Sequence, residues 1–167
     1  HLLGESQAFS FPKSIYAVTK LMSEYYTRLF YNIYGLETVS LRYFNVFGKR
    51  QNPDSIYSAV IPIFLKNIKT LNTLVVYGDG NQSRDFTFID NVIYANYLCM
   101  LSENDKILGN FYNVGCGQNI SLNEIISYLK AKTNKVIKVI YKELAQVFIE
   151  STKVFSFANK SILHILA

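Results

Sequence analysis

The chain has 167 residues, 50% of them hydrophobic and 15% aromatic, which suits one sizeable core and a folded domain rather than a disordered chain. Its formal net charge of +5 gathers at one end: residues 1–129 balance ten basic against ten acidic side chains, and residues 130–167 hold seven Lys against two Glu. No basic stripe therefore runs through the body, and no nucleic-acid partner is expected. Every apolar run is broken by charge before 18 residues and no charged-then-apolar leader opens the chain, so no membrane span or secretion signal is expected and a cytoplasmic protein is.

Residues His1 to Pro12 are broken by Gly4, Ser6, Ser10 and Pro12 and read as an irregular entry loop. From Ser14 to Tyr34 the spacing predicts a helix stopped by Gly35, with a buried stripe of Val18, Met22, Tyr25, Leu29 and Ile33 and a second stripe of Tyr16, Lys20, Ser23 and Thr27 facing a cleft. Thr38 to Tyr43 reads as a strand that ends at Asn45 and Gly48, where a ligand would meet it, and Lys49 to Pro53 reads as a turn. A helix is predicted from Ser58 to Thr70, with Pro62 tolerated in its first turn.

Leu74 to Tyr77 and Phe86 to Ile89 read as short strands around Gly78-Asp79-Gly80, which by itself is a common hairpin turn. Asp90 is the expected N-cap of a helix to about Leu101. Phe111 to Val114 is a buried strand turning at Gly115-Cys116-Gly117, and Ser121 with Glu124 forms a capping box for the helix Leu122 to Lys130. Val136 to Tyr141 alternates as a half-buried strand. Cys99 and Cys116 suit neither a disulfide framework nor a metal cluster, and no metal is expected.

Three stretches carry the chemistry. Ser14-Ile15-Tyr16-Ala17-Val18-Thr19-Lys20 sets a phenol and an ammonium one turn apart on one helix face, where the positive charge favours loss of the phenolic proton. Leu41-Arg42-Tyr43-Phe44-Asn45-Val46-Phe47-Gly48 closes a strand, and Gly78-Asp79-Gly80-Asn81-Gln82-Ser83-Arg84-Asp85-Phe86 follows. In this order and spacing they resemble the extended short-chain dehydrogenase/reductase family of NAD-dependent nucleotide-sugar epimerases and dehydratases, most of all its UDP-N-acetylhexosamine 4-epimerases. The likeness covers about residues 12–141.

The resemblance implies an α/β fold, the C-terminal half of a Rossmann-like parallel sheet with a small α/β substrate-binding portion. It implies Tyr16 and Lys20 as catalytic, with Tyr16, Lys20 and Phe44 meeting NAD. Asn45, Val60, Tyr77 and Arg84 would then meet a UDP-sugar, with Tyr77 stacked on the base and Arg84 on the diphosphate, for which a planar bidentate cation suits. Asp85 would orient its loop. A homodimer through the Tyr16 helix is implied for the complete enzyme, and Tyr25, Tyr26, Leu29, Phe30 and Ile33 give that helix apolar surface to spare.

The departures are definite. No glycine-rich phosphate loop precedes Tyr16, so residues 1–167 read as a partial epimerase/dehydratase domain of a larger protein. The family's catalytic Ser or Thr has no counterpart here, because Ser6 and Ser10 stand too close to Tyr16. Ile15 replaces the usual Pro, and the family's Arg-x-Gly-Asp clamp has no counterpart in residues 142–167. Competing readings are a nucleotide-sugar 4,6-dehydratase, which shares the three stretches, and a non-catalytic truncated remnant.

Overall fold

The structure, a computed structural model, describes residues 12, 14–54, 59–133 and 135–143. Helix α1 spans Ile15–Tyr34. Ser14 caps it by accepting the Ala17 N–H at 3.1 Å. At the other end Gly35 takes φ 67°, and its N–H reaches the Tyr31 carbonyl at 3.0 Å.

The expected buried stripe of α1 is corrected. Val18, Met22, Tyr25, Leu29 and Ile33 are all exposed, and α1 has no buried residue. The half-buried stripe is instead Ala17, Leu21, Glu24, Thr27 and Tyr31. A polar seam selects that face. Arg42 donates to both oxygens of Glu24 at 2.7 and 2.6 Å, the Thr27 and Ser40 hydroxyls meet at 2.8 Å, and the Thr38 hydroxyl donates to the Thr27 carbonyl at 3.1 Å. Below it Gly109 admits the Tyr31 ring, since a Cβ there would stand 2.3 Å from Cδ1.

The expected strand at Thr38–Tyr43 is two strands that change partner. β1 (Ser40–Tyr43) runs parallel to β6 (Phe111–Val114), and β2 (Asn45–Phe47) runs parallel to β5 (Phe86–Phe88). Phe44 is the switch: its N–H bonds the Val114 carbonyl at 3.1 Å, and the next N–H, of Asn45, bonds the Asp85 carbonyl at 3.2 Å. Helix α2 (Val60–Lys69) leads into β3 (Leu74–Tyr77), with Pro62 third in the helix, where no intrahelical N–H bond is lost.

β3 pairs in parallel with β8 (Val139–Lys142), so the expected strand at Val136–Tyr141 starts later, and Val136 is fully exposed. The residues after Gly78-Asp79-Gly80 do not fold back as a hairpin. β4 (Ser83–Arg84) pairs antiparallel with β7 (Ile120–Ser121), a two-residue ladder joining distant segments. Among the described residues the three longer ladders are parallel, in keeping with the α/β expectation.

α3 spans Ile89–Leu101, and a short 3-10 turn at Asp105–Ile107 leads to β6. The expected Asp90 cap is also corrected. Phe88 occupies the cap position without a side-chain bond, and Asp90 lies inside the first turn, where its charge suits the helix N-terminus. The larger core cluster joins Phe64 and Ile68 of α2, Leu74 and Val76 of β3, Phe86, and Leu122 and Ile126 of α4 (Leu122–Thr133). A second cluster packs Val92 and Ala95 of α3 on Val114.

The capping box of α4 is present: Glu124 accepts the Ser121 N–H at 2.7 Å and the Ser121 hydroxyl at 2.6 Å, while the Glu124 N–H reaches the Ser121 oxygen at 3.2 Å. These bonds, the hydroxyl first, hold the Glu124 carboxyl below its ordinary value. A carboxyl lowered on folding stabilises above its unfolded pKa, and that stability is lost as pH falls through the lowered value. Glu124→Ala should therefore lower the thermal midpoint at neutral pH, and the gap from wild type should close below about pH 4 in a pH series of melting curves.

Candidate active site

Asp85 joins the ladders that carry the predicted residues. It is the link between β4 and β5, and it is buried. Its carbonyl accepts both the Asn45 N–H at 3.2 Å and the Asn45 Nδ2–H at 3.1 Å. One carboxylate oxygen accepts the Cys116 N–H at 2.9 Å and the other the Gly117 N–H at 2.8 Å, which ties down the loop leaving β6.

Gly115 makes this approach possible, because a Cβ there would lie 2.6 Å from an Asp85 oxygen and 3.2 Å from Phe44 Cδ2. Asp85 thus ties Asn45 through its carbonyl and the loop beside Phe44 through its carboxylate, with Arg84 preceding it in the chain. The expectation that Asp85 orients its own loop is corrected: its carboxylate holds the loop from β6 to β7.

Arg84 is half-buried and spends one guanidinium N–H on the Ser83 carbonyl at 3.2 Å. Tyr77 stands exposed at the end of β3, its carbonyl held by Gln82 Nε2 at 2.7 Å. Within the same turn Asp79 receives the Asn81 N–H and the Asn81 Nδ2–H, each at 2.9 Å, and the backbone bond first and then the side-chain bond hold its carboxyl below the ordinary value. The Asn123 amide, from α4, donates to the Asp79 carbonyl at 3.1 Å and so anchors this loop.

Tyr16 and Lys20 lie together on α1, both exposed, with Lys20 Nζ 5.5 Å from the Tyr16 ring centroid. The Glu24–Arg42 fork connects their helix to β1, and β1 runs on through Phe44 to Asn45. Val60 stands apart, in the first turn of α2 and packed against the larger core cluster.

An open apolar groove of about 1170 Å³ lies between α2 and α4, floored by Phe47, Phe86 and Phe88. None of the seven predicted residues lines it. We place the candidate site at the strand ends around Asp85, where polar groups converge, and not in the groove.

Two placements are not legible in the sequence. The Glu24–Arg42 fork is one; Glu24 stands one turn beyond Lys20 and Arg42 lies inside the second stretch, but nothing local joins them. Cys116 is the other: it is exposed beside Asp85, and Asn91 Nδ2 lies 3.5 Å from its sulfur. Cys99 is half-buried in α3, and burial pushes its thiol up. No group of three metal-ligating side chains occurs among the described residues, and no helix among them is long and apolar enough to cross a membrane.

The NAD dependent epimerase/dehydratase family profile matches residues 4–115. Among curated proteins, the UDP-glucuronate 4-epimerase of Thermodesulfobacterium geofontis is 35% identical over 76% of this chain and 37% of its own length. The UDP-N-acetyl-alpha-D-glucosaminuronate decarboxylase of Bacillus cytotoxicus is 31% identical over 80% of this chain and 40% of its own. Among solved structures, the UDP-N-acetylglucosamine 4-epimerase from Methanobrevibacter ruminantium M1, in complex with UDP-N-acetylmuramic acid, superposes with a TM-score of 0.85 at 34% identity, covering 99% of this chain and 50% of that one. The chain spans well under half the length of these curated relatives.

Removing the Asp85 carboxylate leaves two backbone N–H groups without their acceptor. Asp85→Ala should cost roughly 2–4 kcal/mol of unfolding free energy, read from denaturant midpoints in the protein carrying this chain, and Asp85→Asn should cost less.

Proposed function

The chain belongs to the NAD dependent epimerase/dehydratase family, and from that premise we propose that the protein carrying it epimerises a UDP-sugar at C4. The pair we assign is UDP-N-acetylglucosamine and UDP-N-acetylgalactosamine. The observation that carries this reading is the Tyr16–Lys20 pair, a phenol and an ammonium one turn apart at the exposed start of α1, with Nζ 5.5 Å from the ring.

The donor set fits NAD. An exposed phenol and an exposed ammonium suit a ribose diol, and Phe44, beside Gly115, offers an aromatic face for the nicotinamide. Bound NAD supplies the hydride acceptor and then the hydride donor. Tyr16 takes the proton from the sugar O4 hydroxyl at its phenolate oxygen and later returns it, and the Lys20 charge stabilises that oxygen while it is negative, before the proton is taken and after it is given back. The planar ketone turns before the hydride comes back to its other face.

The substrate side of the proposal uses the strand ends. Arg84 binds the diphosphate with the N–H groups not spent on Ser83, and Asn45 joins it with the amide hydrogen not spent on Asp85. Tyr77 stacks on the base, and Val60 borders it from α2. Residues 1–167 form part of one epimerase/dehydratase domain working in the cytoplasm. A second copy covers the outer face of α1, where Ile15, Tyr26, Phe30, Ile33 and Tyr34 are exposed.

The same C4 oxidation also opens elimination and decarboxylation, and the decarboxylase among the relatives favours keeping a second reading. That alternative is a nucleotide-sugar 4,6-dehydratase. It is distinguished by its product, a 4-keto-6-deoxy sugar instead of the C4 epimer.

Tyr16→Phe keeps the ring and removes the ionisable oxygen. Turnover of UDP-N-acetylglucosamine should fall roughly 10²–10⁴-fold with substrate affinity little altered, and an unchanged rate would contradict the role. Arg84→Ala should weaken UDP binding by about 1.5–3 kcal/mol in a calorimetric titration, and unchanged affinity would make Arg84 structural only.

A further inference from the structure

Tyr16, Lys20 and Glu24 follow one another at four-residue steps along α1. Lys20 therefore stands between a phenol one turn before it and a carboxylate one turn after it, and its flexible ammonium can reach either. In the structure it turns to Tyr16, with Nζ 5.5 Å from the ring centroid.

Glu24 is occupied elsewhere. Arg42 Nε donates to Oε1 at 2.7 Å and Nη2 to Oε2 at 2.6 Å. The guanidinium is itself held over the Phe111 ring, 3.9 Å from its centroid. Both side chains are more than three-quarters covered, 24% and 22% exposed, so solvent weakens this pair less than an ordinary surface bridge.

We propose that Arg42 is a positioning residue for the proton-transfer pair: by taking both oxygens of Glu24 it keeps that carboxylate from drawing Lys20 away and keeps its charge from opposing negative charge on Tyr16. The inference rests on the assignment of Tyr16 as the proton-transfer group. The other charged or titratable groups around Glu24 are few. On α1 they are Lys20, Arg28 and, two turns on along the half-buried stripe, the Tyr31 phenol; Arg28 is exposed and makes no ion pair among the described residues, and the Tyr31 ring lies against Gly109. From β1 there is Arg42. From β6, Phe111 faces the seam, and Tyr112 alternates to the opposite side of the sheet.

A simple anchor and a guard differ in their response to the two halves of the fork. An anchor is broken equally by loss of either partner. A guard is broken only when Arg42 is lost, because without Glu24 there is nothing left to restrain.

The test is the pH–rate profile of UDP-sugar turnover in the protein carrying this chain, with Arg42→Met, Glu24→Gln and the double variant. Arg42→Met should move the acid limb to higher pH by roughly half a unit, about a threefold loss on that limb. Glu24→Gln should leave the limb in place whatever its effect on rate, and the double variant should restore the limb of wild type. Arg42→Lys, which keeps the charge, should also hold it.

Equal losses in both single variants with an unmoved limb, and no recovery in the double variant, would overturn the proposal and leave the fork an anchor. Should Arg42→Met fail to fold, Arg42→Gln removes the same charge while retaining a hydrogen bond to Glu24. Tyr16→Phe separates the two claims: an active Tyr16→Phe enzyme defeats the assignment beneath the proposal, whereas an inactive one with an unmoved limb in the Arg42 variants defeats the proposal alone.

Discussion

The buried carboxylate of Asp85 is the constraint on which the arrangement of the candidate site depends. Its two oxygens hold the Cys116 and Gly117 amides, and its carbonyl holds Asn45. Through those bonds the end of β1·β6, the start of β2·β5 and the β4·β7 ladder meet at one residue. A charged group buried in this way is stable only with its acceptors filled, which is why Gly115 must lack a side chain beside it. Arg84 and Asn45 inherit their positions from this node, so the diphosphate-binding geometry we propose is a consequence of a packing requirement.

The polar seam under α1 plays the corresponding part for Tyr16 and Lys20. A helix with this much apolar surface has several faces it could bury, and hydrophobicity does not choose among them. The bidentate Glu24–Arg42 pair and the Thr27–Ser40 contact do choose, because they have partners at one rotation only. The stripe that carries Tyr16 and Lys20 is thereby fixed relative to β1, the strand that continues into Phe44 and Asn45. The apolar stripe of Val18, Met22, Tyr25, Leu29 and Ile33 is left outward.

Local chemistry was legible in the sequence. Ser14 at one end and Gly35 at the other bound α1, Pro62 falls in the first turn of α2, and Ser121 with Glu124 opens α4, each through bonds spanning only a few residues. What was hidden depends on distant partners. The buried face of α1 depends on Arg42, the switch at Phe44 depends on both Val114 and Asp85, and β4 and β7 are two residues long, too short for any periodicity. Asp90 has the residue type of a cap, but β5 runs directly into α3 and leaves Phe88 at that position. The three stretches that carry the family likeness were legible as text, while the bonds by which Asp85 holds Asn45, Cys116 and Gly117 became visible only in the fold.

The central claim is that this chain supplies the proton-transfer and diphosphate groups of a UDP-sugar 4-epimerase. The most direct measurement is proton NMR of the protein carrying it, incubated with NAD and UDP-N-acetylglucosamine in deuterium oxide. A hydride held within the site does not exchange with solvent, whereas a proton moved by Tyr16 does. The account predicts UDP-N-acetylgalactosamine with protium retained at C4. Deuterium at C4, a 4-keto-6-deoxy product, or no conversion of the UDP-sugar would contradict it.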